Sequence, residues 1–165
     1  MNNNNPTMPR QDVLKDVFGW EVPVETVPLP SRGVIYNPDS TMYNRETIQI
    51  KAMTALQEDI LSSAAYIREG TSIIRAIQSC IADDNVDVMN MIAGDRNALM
   101  VSMRITGYGS DYPVTHTCQN CGSKNSVNIK LSDLSIKRLP EDPVEIGKNL
   151  FSYTLPVTGK QVLFK

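Results

Sequence analysis

Across residues 54–105 the apolar side chains recur at helical spacing, while on both sides of that stretch they recur at strand spacing. A chain written this way is neither all-helical nor all-β, and its strands and helices fall in separate blocks rather than alternating. Leu56, Ile60, Ala64 and Ile67 form one helical set. Ile73, Ile74, Ile77, Cys80 and Ile81 form a second stripe. Thr54 and Gln57 have the spacing of a capping box, and Gly70 suits a helix C-terminus. A short helix is expected over "VDVMNMI". The next helix, with Asp95 as its N-cap, carries "RNALMVSMRI", apolar around most of its circumference and so placed in the middle of the helical cluster.

The flanks read as β structure. "GVIY" and "TIQIKAM" have strand character and are joined by the turn-rich "NPDSTMYNRE". "VTHTCQNCGSKNSVNIKL" reads as a hairpin with "CQNCGSKN" at its tip. "FSYTLPVTGKQVLFK" reads as two strands around a Pro-Val-Thr-Gly turn. The expected class is α+β: a central helical cluster with short antiparallel β-hairpins, one carrying a zinc-knuckle-like C-x-x-C tip. Three regions follow. Residues 1–28 combine a polar low-complexity start with a Pro-rich extended arm, expected to stay out of the middle of any sheet. Residues 29–134 form the main α+β domain. Residues 135–165 supply a linker and C-terminal strands, and a stop on a strand at Lys165 suggests truncation or a further element.

The 165 residues, 41% of them hydrophobic, are enough to bury a core, and the net charge of −2 gives no broad footprint for nucleic acid or an anionic membrane. No run of residues approaches a membrane span, and the start lacks the apolar core of a signal peptide.

Chemistry concentrates in "THTCQNCGSKNSV". A structural zinc takes four ligands in a tetrahedron, and C-x-x-C lets one turn aim two thiolates at one ion. His116 lies two residues before Cys118, so in a strand the two share a face. His116, Cys118 and Cys121 are therefore the metal-ligand candidates, with zinc the cofactor they would take. Nothing repeats downstream to complete the set. Cys80 sits on an apolar stripe and reads better as core; a second subunit of a homo-oligomer could supply the missing pair. "DDNVD" opens like a calcium loop but lacks the later glycine and glutamate, and "GYG" lacks the third glycine of a phosphate loop. No nucleophile motif occurs. Arg96 and Arg104 lie on one side of one helix, and at least one should meet a carboxylate or backbone carbonyls. Met89, Met91, Met100 and Met103 suit core filling or an adaptable binding surface.

"LPSRGVIY", "IQIKAMTALQEDIL" and "GDRNALMVSMRITGYGSDYPVTHTCQNCG", in that order, resemble the baseplate hub proteins of T-even-type contractile-tailed bacteriophages. The resemblance runs from about Leu29 to Leu134. It implies a non-enzymatic role in building the baseplate hub, partners among the other hub proteins, and residence in the host cytoplasm during tail assembly or in the virion baseplate. No active site carries over. The alternative from the residues alone is a small metal- or thiol-dependent enzyme centred on His116, Cys118 and Cys121.

Overall fold

The computed structural model describes residues 12–15 and 21–165. The low-complexity start of the chain lies outside the described residues. The first sheet has the order β1-β2-β3, antiparallel throughout, from β1 (Asp12–Lys15), β2 (Glu21–Pro28) and β3 (Thr47–Lys51). Four helices follow: α1 (Ala55–Ser62), α2 (Ala64–Glu69), α3 (Ser72–Cys80) and α4 (Ala93–Tyr108). Two separate hairpins complete the chain, β4 (Asp111–Thr117) with β5 (Lys124–Lys130) and β6 (Phe151–Thr154) with β7 (Gln161–Phe164). The class is α+β, as the block pattern requires.

The Pro-rich segment departs from expectation, because β2 is the middle strand. The register explains how prolines are tolerated there. Among the described residues, β1 pairs with residues 21–24 of β2 and β3 with residues 24–28. Among the described residues Val24 is the one with strand partners on both sides. Among them too, Pro23 faces β1 and Pro28 faces β3, so each proline has a described strand on one side, where its missing donor need not point.

One face of β3 buries Ile48 and Ile50, with Val27 of β2 opposite Ile48. Against them pack Ala76, Ile77 and Cys80 of α3 and Ala98, Leu99 and Met103 of α4. The chain leaving α3 then adds itself to the sheet: Ile81 bridges Ile50, and the Ala82 N–H donates to the Gln49 carbonyl at 3.0 Å. Leu29, Tyr36, Met42, Val86, Val88 and Met91 close the core from the loops. Burial of some sixteen apolar side chains in one cluster gives the fold its main driving force.

Helix ends follow local chemistry in two places. The Gln57 side-chain oxygen accepts from the Thr54 N–H at 2.8 Å, the return half of a capping box. Gly70 is left-handed (φ 69°), and the Thr71 N–H reaches back to the Tyr66 carbonyl at 2.9 Å, a Schellman ending. Between them Ser63 is extended (ψ 113°) and splits the expected single helix into α1 and α2. Serine competes for its own backbone groups and resists a helix interior weakly.

Three further expectations change. "GVIY" forms turns rather than a strand, because Arg32 and Gly33 both take positive φ (55° and 73°) and break an extended run. "VDVMNMI" is a loop. The Asp87 carboxylate accepts from the Met89 N–H at 2.9 Å and the Asn90 side chain at 2.6 Å. The Gln78 amide bonds the Val86 carbonyl at 2.8 Å and the Val88 N–H at 3.1 Å. These side chains take backbone groups that a helix would need. The helix after it begins at Ala93 with Ile92 as N-cap, so Asp95 lies inside the first turn and is fully buried.

Candidate functional site

Asp95 caps a different segment from the one its position suggests. Its carboxyl accepts from the Ser31 N–H (2.9 Å), the Ser31 hydroxyl (2.6 Å) and the Tyr36 hydroxyl (2.7 Å). The Tyr36 oxygen in turn accepts from the Ile92 N–H at 3.0 Å, and the Ser31 oxygen from the Gly33 N–H at 3.0 Å. "LPSRG" and "GDR", far apart in sequence, are thus two halves of one buried polar junction. The later chain is hung on the same turn: Leu139 N–H donates to the Pro30 carbonyl (2.8 Å) and Gly147 N–H to the Val34 carbonyl (2.7 Å). The loop at residues 30–34 therefore positions the segment that leads to β6.

Burial, followed by the hydrogen bond to Asp95, raises the Tyr36 phenol well above its ordinary value. The folded state keeps that proton at pH values where the unfolded chain releases it. Its stabilising contribution is complete below pH ~10 and is lost as pH rises beyond, at up to about 1.4 kcal/mol per pH unit. Urea melts between neutral and strongly alkaline pH should show that decline, and Tyr36→Phe should flatten part of it. An unchanged alkaline slope in the variant would remove Tyr36 as its source.

α4 ends at a second junction, the root of the β4–β5 hairpin. Gly107 packs tightly on Met53, because a Cβ there would lie 2.8 Å from Met53 Cε and 3.0 Å from Met53 Cβ, so Met53 would have to shift; Gly109 (φ 80°) makes the turn itself. Arg104, half-buried, donates to the Gly109 carbonyl (3.0 Å) and the Asp111 carbonyl (3.4 Å) and lies over the Tyr108 and Tyr112 rings. It meets the expectation of a guanidinium bonded to backbone carbonyls. The Tyr108 hydroxyl donates to Glu58 at 2.8 Å, tying this end of α4 to α1. An apolar groove of about 350 Å³ opens beside the root, lined by Met53, Leu61, Ile73, Met100, Met103 and Tyr112 among others.

From that root the hairpin projects. All seven residues of β5 are exposed, and six of the seven in β4. At its tip the Gly122 N–H donates to the Cys118 carbonyl and the Cys118 N–H to the Ser123 carbonyl, both at 2.9 Å, with Gly122 left-handed (φ 71°). Cys121 Sγ and Ser123 Oγ lie 2.9 Å apart. The Ser123 hydroxyl, the Ser123 backbone and Cys118 lower the Cys121 thiol below its ordinary range. His116 pairs across the hairpin with Asn125. Among the described residues no three His, Cys, Asp or Glu side chains gather closely enough to hold a metal, so the tip offers the two thiols as a pair. Cys80 is in the core, 1% exposed, where burial raises its thiol.

The C-terminal hairpin is exposed too. Phe151 and Phe164 stack with centroids 5.8 Å apart, but Tyr153, Leu163 and, at the turn, Val157 (94% exposed) face outward. Sequence patterning located both hairpins. It missed the Ser31–Tyr36–Asp95 junction, for which the sole available signal was an acidic residue in an apolar helix.

No helix among the described residues is long and apolar enough to cross a membrane. Comparison with curated proteins and with solved structures finds no significant match. A family model described as T4 bacteriophage base plate protein matches residues 31–159. That span starts at the serine bonded to Asp95 and takes in β3, the four helices, the β4–β5 hairpin and β6, and the chain belongs to the T4 bacteriophage base plate protein family.

Proposed function

We propose that this protein builds the central hub of the baseplate by binding other hub proteins, and that it does so without catalysis. The observation that carries the reading is the pair of projecting hairpins. A two-stranded hairpin exposed on both faces is marginal in water by itself. Val127 (59% exposed), Ile129 and Tyr112 on one, and Leu163 (61%), Tyr153 and Phe164 on the other, are apolar surface best accounted for by a neighbouring subunit. Assembly would take place in the host cytoplasm, with the hairpins covered once the hub is formed.

Pull-down of the full chain from infected cells should recover other hub proteins. Val127→Asp and Leu163→Asp should each abolish recovery while changing stability by no more than about 0.5 kcal/mol, because neither side chain is in the core. Recovery unaffected by both substitutions would sink the hairpin reading. The runner-up, a small metal- or thiol-dependent enzyme centred on His116, Cys118 and Cys121, has one point in its favour, the lowered Cys121 thiol. Rapid alkylation of Cys121 by iodoacetamide at neutral pH, together with normal hub assembly in Cys121→Ser, would favour it.

A further inference from the structure

We propose that the hairpin tip is half of a zinc site, completed by the tip of a second copy of this chain, so that Cys118 and Cys121 from each form a four-thiolate centre. The ligand arithmetic leads there. A structural zinc needs four ligands. This chain has three cysteines and one histidine, and Cys80 is in the core. The described structure presents Cys118 and Cys121 as a pair and gathers no third ligand with them. Two thiols per chain and four positions per ion call for two chains.

Four features of the tip suit this partner. Both thiols stand at the end of an exposed hairpin, where two copies can approach without disturbing either core. The turn between them is already closed by backbone hydrogen bonds, so little ordering remains when metal arrives. The charges also match. Residues 112–132 contain no Asp or Glu, and Lys124 starts β5 directly after the tip. Four thiolates around a divalent ion leave a charge of about −2, which one Lys124 from each copy would offset. The Ser123 hydroxyl beside Cys121 Sγ is a ready donor to a coordinated thiolate. Binding is balanced by protons: each thiol loses its proton to solvent as its sulfur bonds the ion, and no redox step is involved.

This inference is independent of which hub protein is bound, and its test needs no phage partner. The full chain, purified under reducing conditions, would be titrated with zinc alone and followed by native mass spectrometry and metal analysis. The expected result is about one zinc per two chains, with dimer appearing as zinc is added and lost to chelator. Cobalt in place of zinc should give the visible bands of a tetrahedral four-thiolate site. Cys118→Ser and Cys121→Ser should bind no zinc and stay monomeric, with the helical circular dichroism of the parent, since the tip is remote from the core. Cys80→Ser and His116→Ala should keep zinc and dimer. One zinc per monomer would overturn the proposal, as would failure to retain zinc, a zinc-independent dimer, or loss of zinc in His116→Ala.

Discussion

Alanine at position 33 should cost the protein a large part of its stability. Gly33 sits at φ +73°, and a Cβ built there would lie 2.2 Å from the Arg45 nitrogen and 2.8 Å from the Arg45 oxygen and the Asn44 carbonyl carbon. All three are backbone atoms, so no side chain can rotate away. The Asn44 N–H also donates to the Gly33 carbonyl at 3.0 Å, which holds the two segments together at this separation. A left-handed alanine costs about 1–2 kcal/mol wherever it occurs. Separating the two backbones should raise the total to at least about 4 kcal/mol, against an expected stability of about 5–15 kcal/mol. Gly70 provides the control. Its φ is +69°, but nothing lies within 4 Å of its missing Cβ. Gly70→Ala should therefore lose only the conformational part, about 1 kcal/mol. Urea denaturation of both variants separates the effects; equal midpoints would show that the Gly33 contact yields without penalty.

The contrast between those two glycines also marks what a sequence can and cannot show. Gly70 was legible, because a helix stop depends on its own few residues. The same holds for the Thr54–Gln57 cap and for both hairpins, whose turns and alternation are local. Gly33 looked like a lead-in to a strand, since its need for glycine comes from Arg45, a neighbour in space. Pro23 and Pro28 argued against a middle strand, and sequence could not reveal that, among the described residues, each proline has a strand partner on one side. "VDVMNMI" misled because Gln78 and Asp87 claim its backbone through side-chain bonds, which apolar periodicity does not record. At the tip, spacing located Cys118 and Cys121, yet their relation to His116 and Cys80 is a question of three-dimensional reach. The resemblance to baseplate proteins rested on motifs in order. The structure adds that two of them, "LPSRG" and "GDR", meet at Ser31 and Asp95.

That meeting should make Asp95→Ala the most disruptive helix substitution. The carboxyl serves three donors from the loop, and it is fully buried. Alanine leaves the buried Ser31 N–H without an acceptor and the Ser31 and Tyr36 hydroxyls without theirs, in a space too enclosed for easy hydration. At about 1–3 kcal/mol for each buried group left unmatched, the loss should be on the order of 4 kcal/mol, or about 10 °C in melting temperature. Asparagine keeps the shape but exchanges one acceptor oxygen for a donor; one oxygen takes the Ser31 N–H and the other both hydroxyls, so at least one of the three bonds must fail and about half the loss is expected. Because Tyr36 acts through the same carboxyl, Tyr36→Phe should cost less in the Asp95→Ala background than in the parent. A double-mutant cycle by urea denaturation reads this directly. Additive losses would mean that the two residues stabilise the fold separately. Asp95→Ala within 1 kcal/mol of the parent would mean that the loop at residues 30–34 holds its position by packing alone, and that the polar junction does not set where the C-terminal hairpin is presented.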